Sequence, residues 1–158
     1  MPTHATAFTF TAFTPSLVDD ARDRELAAGR AVVPADDGGR FPVRCCLRDV
    51  DRASDVVLLS MRPPTADSPY AADSPVYIHR HRCAGYRPDG SVPEVLRDRL
   101  LSLRAYTADH MLTGTAVEHG RALGSALDQL FAGDGTAYVF AHFAGPGCYA
   151  CRIDRVAS

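Results

Sequence analysis

The 158-residue chain is 46% apolar and 23% charged, the balance of a globular protein with enough mass to bury its own core. Its formal charge of −2, spread over interspersed acids and arginines, excludes nucleic acid as the main partner, because phosphate binding needs a basic excess on one face. All 17 basic residues are arginine, which excludes a Walker-type phosphate loop, a Schiff-base nucleophile and a lysine general base.

No run approaches the roughly 20 apolar residues of a membrane span, so no membrane partner is expected. The first residues, MPTHATAFTFTAF, lack the basic start and unbroken apolar core of a secretory leader, which points to the cytoplasm. Five cysteines, Cys45, Cys46, Cys83, Cys148 and Cys151, are then read as reduced thiols rather than a disulfide framework.

In chain order, residues 8–13 alternate Phe with Thr and Ala and predict a first strand. Pro15 and Ser16 open a helix to about Ala28, with Ser16 as its N-cap and Gly29 as its stop. Its apolar stripe (Leu17, Val18, Ala21, Leu26) is thin, which places the helix at the surface. Ala31 to Ala35 predicts a short strand before the turn cluster at 36–39. Strands follow over Val43 to Leu47 and Val56 to Ser60; the second, VVLLS, is continuously apolar and is expected at the centre of a sheet. The prolines of 61–75 forbid ladder bonding and predict an ordered loop. Val76 to Cys83 reads as a strand, and Pro93 starts a short helix to about Arg99. LLSLRAY (100–106) alternates leucines with Ser102, Arg104 and Tyr106, the pattern of a half-buried strand, and Met111 to Glu118 pairs with it. Ala122, Leu123, Ala126, Leu127, Leu130 and Phe131 share one face of a helix over 121–131, which Gly133 ends. Two apolar arms around Gly145-Pro146-Gly147 make a closing hairpin over 136–155. Strands outnumber helices and their connections are too short for crossovers. The expected fold is α+β: one domain over 1–158, a mostly antiparallel sheet and two or three helices packed on one side.

Several stretches resemble a bacterial family catalogued as domain of unknown function 1203: PVRCCLRD (42–49), ADSPYAADSPVYIH (66–79), PEVLRDRLLSLRAY (93–106) and AHFAGPGCYACRIDR (141–155). The resemblance runs from about Phe41 onward and implies membership, with no activity attached to it.

Three groupings carry chemistry. His142 and Cys148 flank the hairpin tip and form a candidate base and nucleophile, with His79 as a third catalytic candidate. Hairpin register decides the pairing: facing positions with an even sum put His142 on the face of Cys148, Arg152 and Asp154, and an odd sum sets it against Tyr149 and Cys151. Arg104, Arg44 and Arg152 interrupt apolar strands. A buried arginine must be paired or must hold an anion, so they are candidate clamps for a small anionic molecule, with Asp67, Asp73 and Asp154 as structural alternatives. Asp67, Ser68 and Tyr70 add an acid, a hydroxyl and a phenol on one loop. No cofactor is required by these groups. An alternative starts from His79, His81 and Cys83, alternate residues of one strand: zinc or another divalent metal on His79 and His81, with His142 or Cys148 from the hairpin as third ligand. Cys148-Tyr149-Ala150-Cys151 has CxxC spacing, but a strand points the two thiols to opposite faces, and adjacent Cys45 and Cys46 do not chelate together in an extended strand. The leading reading is a small-molecule enzyme or ligand-binding protein with an Arg/His/Cys site on one sheet face. A pocketless interaction module is the remaining alternative.

Overall fold

The structure, a computed structural model, describes residues 8–157. Its elements are, in chain order, β1 (Phe8–Thr11), α1 (Pro15–Ala27), β2 (Phe41–Val43), β3 (Arg48–Val50), β4 (Val56–Met61), β5 (Ser74–His79), α2 (Glu94–Arg97), β6 (Leu100–Tyr106), β7 (Leu112–His119), α3 (Leu123–Ala132), β8 (Tyr138–Phe143) and β9 (Tyr149–Arg155). The class is α+β with mostly antiparallel pairing. The strands divide between a five-stranded sheet, β1-β9-β8-β6-β7, and a four-stranded sheet, β3-β2-β5-β4, which holds one parallel contact, between β2 and β5.

Period-two alternation assigns the two faces of the larger sheet. Leu101, Leu103, Ala105, Val139, Ala141 and Phe143 point to one face and pack with Leu123, Leu127 and Leu130 of α3 and with Val95 and Leu96 of α2. Tyr106, Tyr138, Phe140 and Tyr149 cover the other face. They join Val43, Val56, Leu59, Val76 and Ile78 of the smaller sheet, and Val18 and Ala21 of α1, in a second buried cluster. Arg104 and His142 have the parity of this second face, so the polar side chains of the larger sheet look toward the seam between the sheets.

α1 starts where Thr14, not Ser16, caps it: the Thr14 hydroxyl accepts from the Leu17 amide at 3.4 Å, and Pro15 fills the first helical position. Its buried residues, Val18, Ala21, Arg22 and Glu25, fall on one face. Three further expectations are corrected. β2 ends at Val43 and residues 44–47 form a turn instead of continuing the strand. β5 ends at His79, so His81 and Cys83 lie in the loop beyond it. VVLLS belongs to β4, which is an edge strand; its outer side is blunted by one bridge from Val32 to Leu58, all that forms of the strand expected over 31–35. Among the described residues no helix is long and apolar enough to cross a membrane. The leader expectation rests in part on residues 1–7, which lie outside the described residues.

Candidate functional site

The closing hairpin places the site. Along most of its length β8 and β9 pair with an even sum: Val139 faces Ile153, Phe140 faces Arg152 and Ala141 faces Cys151. A bulge after Ala141 then shifts the register by one, and His142 faces Tyr149. The tip closes through Gly147 N to Phe143 O (2.7 Å) and Phe143 N to Cys148 O (2.9 Å). Gly147 takes φ +79°, which only glycine adopts freely. Both parities therefore occur in one hairpin, with the change beside His142.

His142 lines a cleft of about 160 Å³ in the seam, together with Tyr70, Arg104, Tyr106, His110, Cys148 and Tyr149. Its Nδ1 lies 3.1 Å from the Gly147 carbonyl oxygen. A carbonyl only accepts, so Nδ1 carries the ring proton and Nε2 keeps its lone pair. That Nε2 is buried and has no hydrogen-bond partner among the described residues. Burial holds the His142 pKa down at about 4, and the neighbouring Arg104 guanidinium adds to the effect. At neutral pH the cleft thus contains an uncharged imidazole with a free acceptor.

Arg104 is its cationic counterpart. Its Nε approaches the Ser102 hydroxyl at 3.4 Å and its guanidinium sits beside the Tyr106 phenol. Among the described residues no carboxylate lies within ion-pair distance of it. His110 closes the cleft wall. Its ring stacks on Tyr106 at 4.0 Å, its Nε2 faces the Tyr70 carbonyl at 3.4 Å and its Nδ1 lies 2.6 Å from the Tyr138 hydroxyl. Burial lowers its pKa and raises that of the Tyr106 phenol. Arg44 works from behind. It is fully buried, donating through Nε to the Tyr149 carbonyl (2.8 Å), through Nη1 to the Pro42 carbonyl and through Nη2 to the Cys148 sulfur (3.0 Å). Desolvation brings its pKa down to about 10, which leaves it charged at neutral pH. Arg44 therefore fixes the hairpin tip against β2 and holds Cys148 at the cleft rim.

A second cluster lies elsewhere. The turn over 44–47 depends on Leu47 at φ +54°, a conformation unusual for a branched side chain, and burial of Leu47 together with a bond from Val95 N to Leu47 O holds it there. The turn swings Cys45 and Cys46 toward the end of β5 and the following loop. One donor atom from each of Cys45, Cys46, His79 and Cys83 lies within 4.8 Å of all the others. The adjacent Cys46 sulfur and burial push the Cys45 thiol up, while the neighbouring Cys45 thiol and the His79 ring draw the Cys46 thiol down. All five cysteines are free.

Of the residues predicted from sequence, the structure brings His142, Cys148, Arg104 and Tyr70 to the cleft, and Arg44 to its rear wall. His79 is not with them; its Nε2 lies 3.3 Å from the Cys46 sulfur. The grouping of His79, His81 and His142 does not form, because β5 ends before His81 and His142 faces the cleft. Asp67 is exposed and away from the cleft, and Ser68 shapes the loop by bonding the His110 carbonyl (2.8 Å) and the Tyr70 amide (3.0 Å). Arg152 is spent on a bidentate pair with Asp154 and on the Tyr138 ring, 4.1 Å away. Cys151 is fully buried in the core on α3's side of the sheet, and Cys148 packs against the edge of the same cluster. Sequence reasoning missed His110, Tyr106 and Tyr149 in the cleft. It grouped Cys83 with His79 but set Cys45 and Cys46 aside, and so missed the turn that brings those two thiols to the pair.

No curated protein and no solved structure shows significant similarity to the chain. Residues 40–155 match the family described as protein of unknown function DUF1203, a span that takes in both clusters. The chain belongs to that family.

Proposed function

We propose that the protein binds, and acts on, a small anionic molecule in the cleft between the sheets. One observation carries the reading: the buried Nε2 of His142 has no partner among the described residues, and His142 lines the same cleft as Arg104. A buried acceptor without a partner costs roughly 1–3 kcal/mol, and a ligand hydroxyl or amide placed there recovers it. Arg104 would hold a carboxylate or phosphate, and His142, neutral and aprotic at Nε2, would accept a proton from the neighbouring ligand group. Cys148 at the rim adds a nucleophile within the same cavity. The cleft is smaller than the roughly 300–1,000 Å³ of drug-sized sites, which suits a short hydroxy acid or phosphate ester. Five free thiols suit a reducing, cytoplasmic setting.

The test is calorimetric titration with inorganic phosphate, glycolate, lactate and acetate on the wild type and on Arg104→Gln and His142→Asn. Asn keeps a donor toward the Gly147 carbonyl but removes the Nε2 acceptor. The reading expects saturable binding of at least one anion, weakened about tenfold or more in Arg104→Gln, since a charge-assisted hydrogen bond contributes about 1.5–3 kcal/mol. His142→Asn should weaken the hydroxy acids and leave acetate unaffected. Equal affinities across the three proteins, or no binding by any of the anions, would overturn it.

A further inference from the structure

We infer that Cys45, Cys46, Cys83 and His79 hold a structural zinc ion that pins the loop following β5. The donors are three thiols and one imidazole, a soft set that selects zinc over calcium or magnesium. With Zn–S near 2.3 Å and Zn–N near 2.0 Å, a tetrahedral site has ligand–ligand separations of about 3.5–3.8 Å. The four donor atoms already lie within 4.8 Å of one another, and Cys46 Sγ and His79 Nε2 are 3.3 Å apart, so closing on an ion needs a contraction of about 1 Å or less. Four protein donors fill the tetrahedron and leave no position for water or substrate, which makes the site structural and independent of the cleft.

The surroundings are those of thiolate ligands. The Gly85 amide donates to the Cys83 sulfur at 3.4 Å. The donor lies two residues after the cysteine, where a backbone N–H stabilises a metal-bound sulfur. Gly85 has φ +90°, and an added Cβ would meet the Pro15 ring at 2.9 Å, so its geometry is fixed by glycine. On the other side Arg22 of α1 donates to the His79 carbonyl at 2.9 Å and holds that strand end in place.

The loop shows what the ion does. Among the described residues no backbone–backbone hydrogen bond involves residues 81–92; the ladder stops at Arg80 N to Asp55 O. A connection of that length without backbone–backbone bonding, held internally only by short side-chain links such as Ser91 N to Asp89, is weakly determined by its own chain. A zinc ion would tie it through Cys83 to the end of β5 just before it and to the 44–47 turn, whose Cys46 lies 33 residues before His79. The turn that the left-handed Leu47 closes sets Cys45 and Cys46 toward the same point as His79 and Cys83.

The experiment uses the untagged full chain, purified under reductant without chelator. Elemental analysis should find about one zinc per chain, and Co2+ added to the demetallated protein should give tetrahedral visible bands with a thiolate-to-metal charge-transfer band, saturating near one equivalent. Cys83→Ala should weaken Co2+ binding at least tenfold and reduce the charge-transfer band. If that variant fails to fold, His79→Cys serves instead: a fourth thiolate should retain the metal and strengthen the charge-transfer band. A reduced wild type that takes up neither Zn2+ nor Co2+ overturns the inference. So does a Co2+ spectrum without thiolate charge transfer, or one unchanged by either substitution.

Discussion

Replacing His142 by Asn should flatten the dependence of stability on pH between 7.5 and 4.5. In the folded protein the imidazole titrates at about 4 because it is buried and because Arg104, Arg44 and His110 are all close enough to disfavour its charge. The unfolded chain restores the ordinary value of 6.5. Folding therefore favours the neutral ring. That costs nothing above pH 6.5, where the unfolded ring is neutral too. As pH falls below 6.5 the unfolded state gains protons that the folded state refuses, and stability drops until both rings are charged below about 4. The full difference corresponds to about 3 kcal/mol, of which about 2.5 kcal/mol is lost between pH 7.5 and 4.5. Asn keeps a donor for the Gly147 carbonyl and does not titrate. Urea unfolding of both proteins at the two pH values isolates the effect, because losses from other groups are common to both. The wild type should lose about 2.5 kcal/mol more than His142→Asn. Parallel losses would refute the placement of a neutral, desolvated ring in the cleft.

Arg44→Met should destabilise by about 3 kcal/mol or more, since the buried carbonyls of Pro42 and Tyr149 and the Cys148 sulfur lose their donor together; chemical unfolding measures it, and a change below 1 kcal/mol contradicts the role given to Arg44. Gly120→Ala should be at least as damaging, because its Cβ would lie 1.7 Å from the Leu96 carbonyl oxygen and α2 must move; a near-neutral variant by the same assay rules that out. Cys151 is fully buried and its thiol is pushed up to about 12 by desolvation, so brief alkylation of the native protein at pH 8 should leave it unmodified while the urea-unfolded chain is labelled there. Equal labelling by peptide mass analysis would contradict this.

How far the sequence led depended on whether local pattern and tertiary context agreed. LLSLRAY forms the strand its alternation predicts, and the leucines of α3 form the face the helical period predicts, since both segments meet one core on one side. The turn over 44–47 was not legible. It contains no glycine, proline, asparagine or aspartate, and it exists because the buried Leu47 side chain and its carbonyl are held from α2. The thiol cluster was hidden with it, because an extended 43–47 sends Cys45 and Cys46 to opposite faces. VVLLS misled for a related reason: packing on α1 and the bridge from Val32 cover a strand at the sheet edge, so continuous apolarity did not mean a central position. Arg104 and His142 were legible as polar residues sharing a face. They converge through the regular β6–β8 register, in which Ser102 faces His142 and Arg104 faces Phe140; the bulge after Ala141 decides instead which residue of β9 His142 meets, and period-two reasoning has no means of locating a one-residue insertion.

A nitrogen-detected NMR titration of the His142 ring in the ligand-free protein tests the cleft most directly. The ring should stay neutral with its proton on Nδ1 down to about pH 5 and titrate near 4. A ring that titrates near 6.5, or that carries its proton on Nε2, contradicts an unpartnered base facing Arg104.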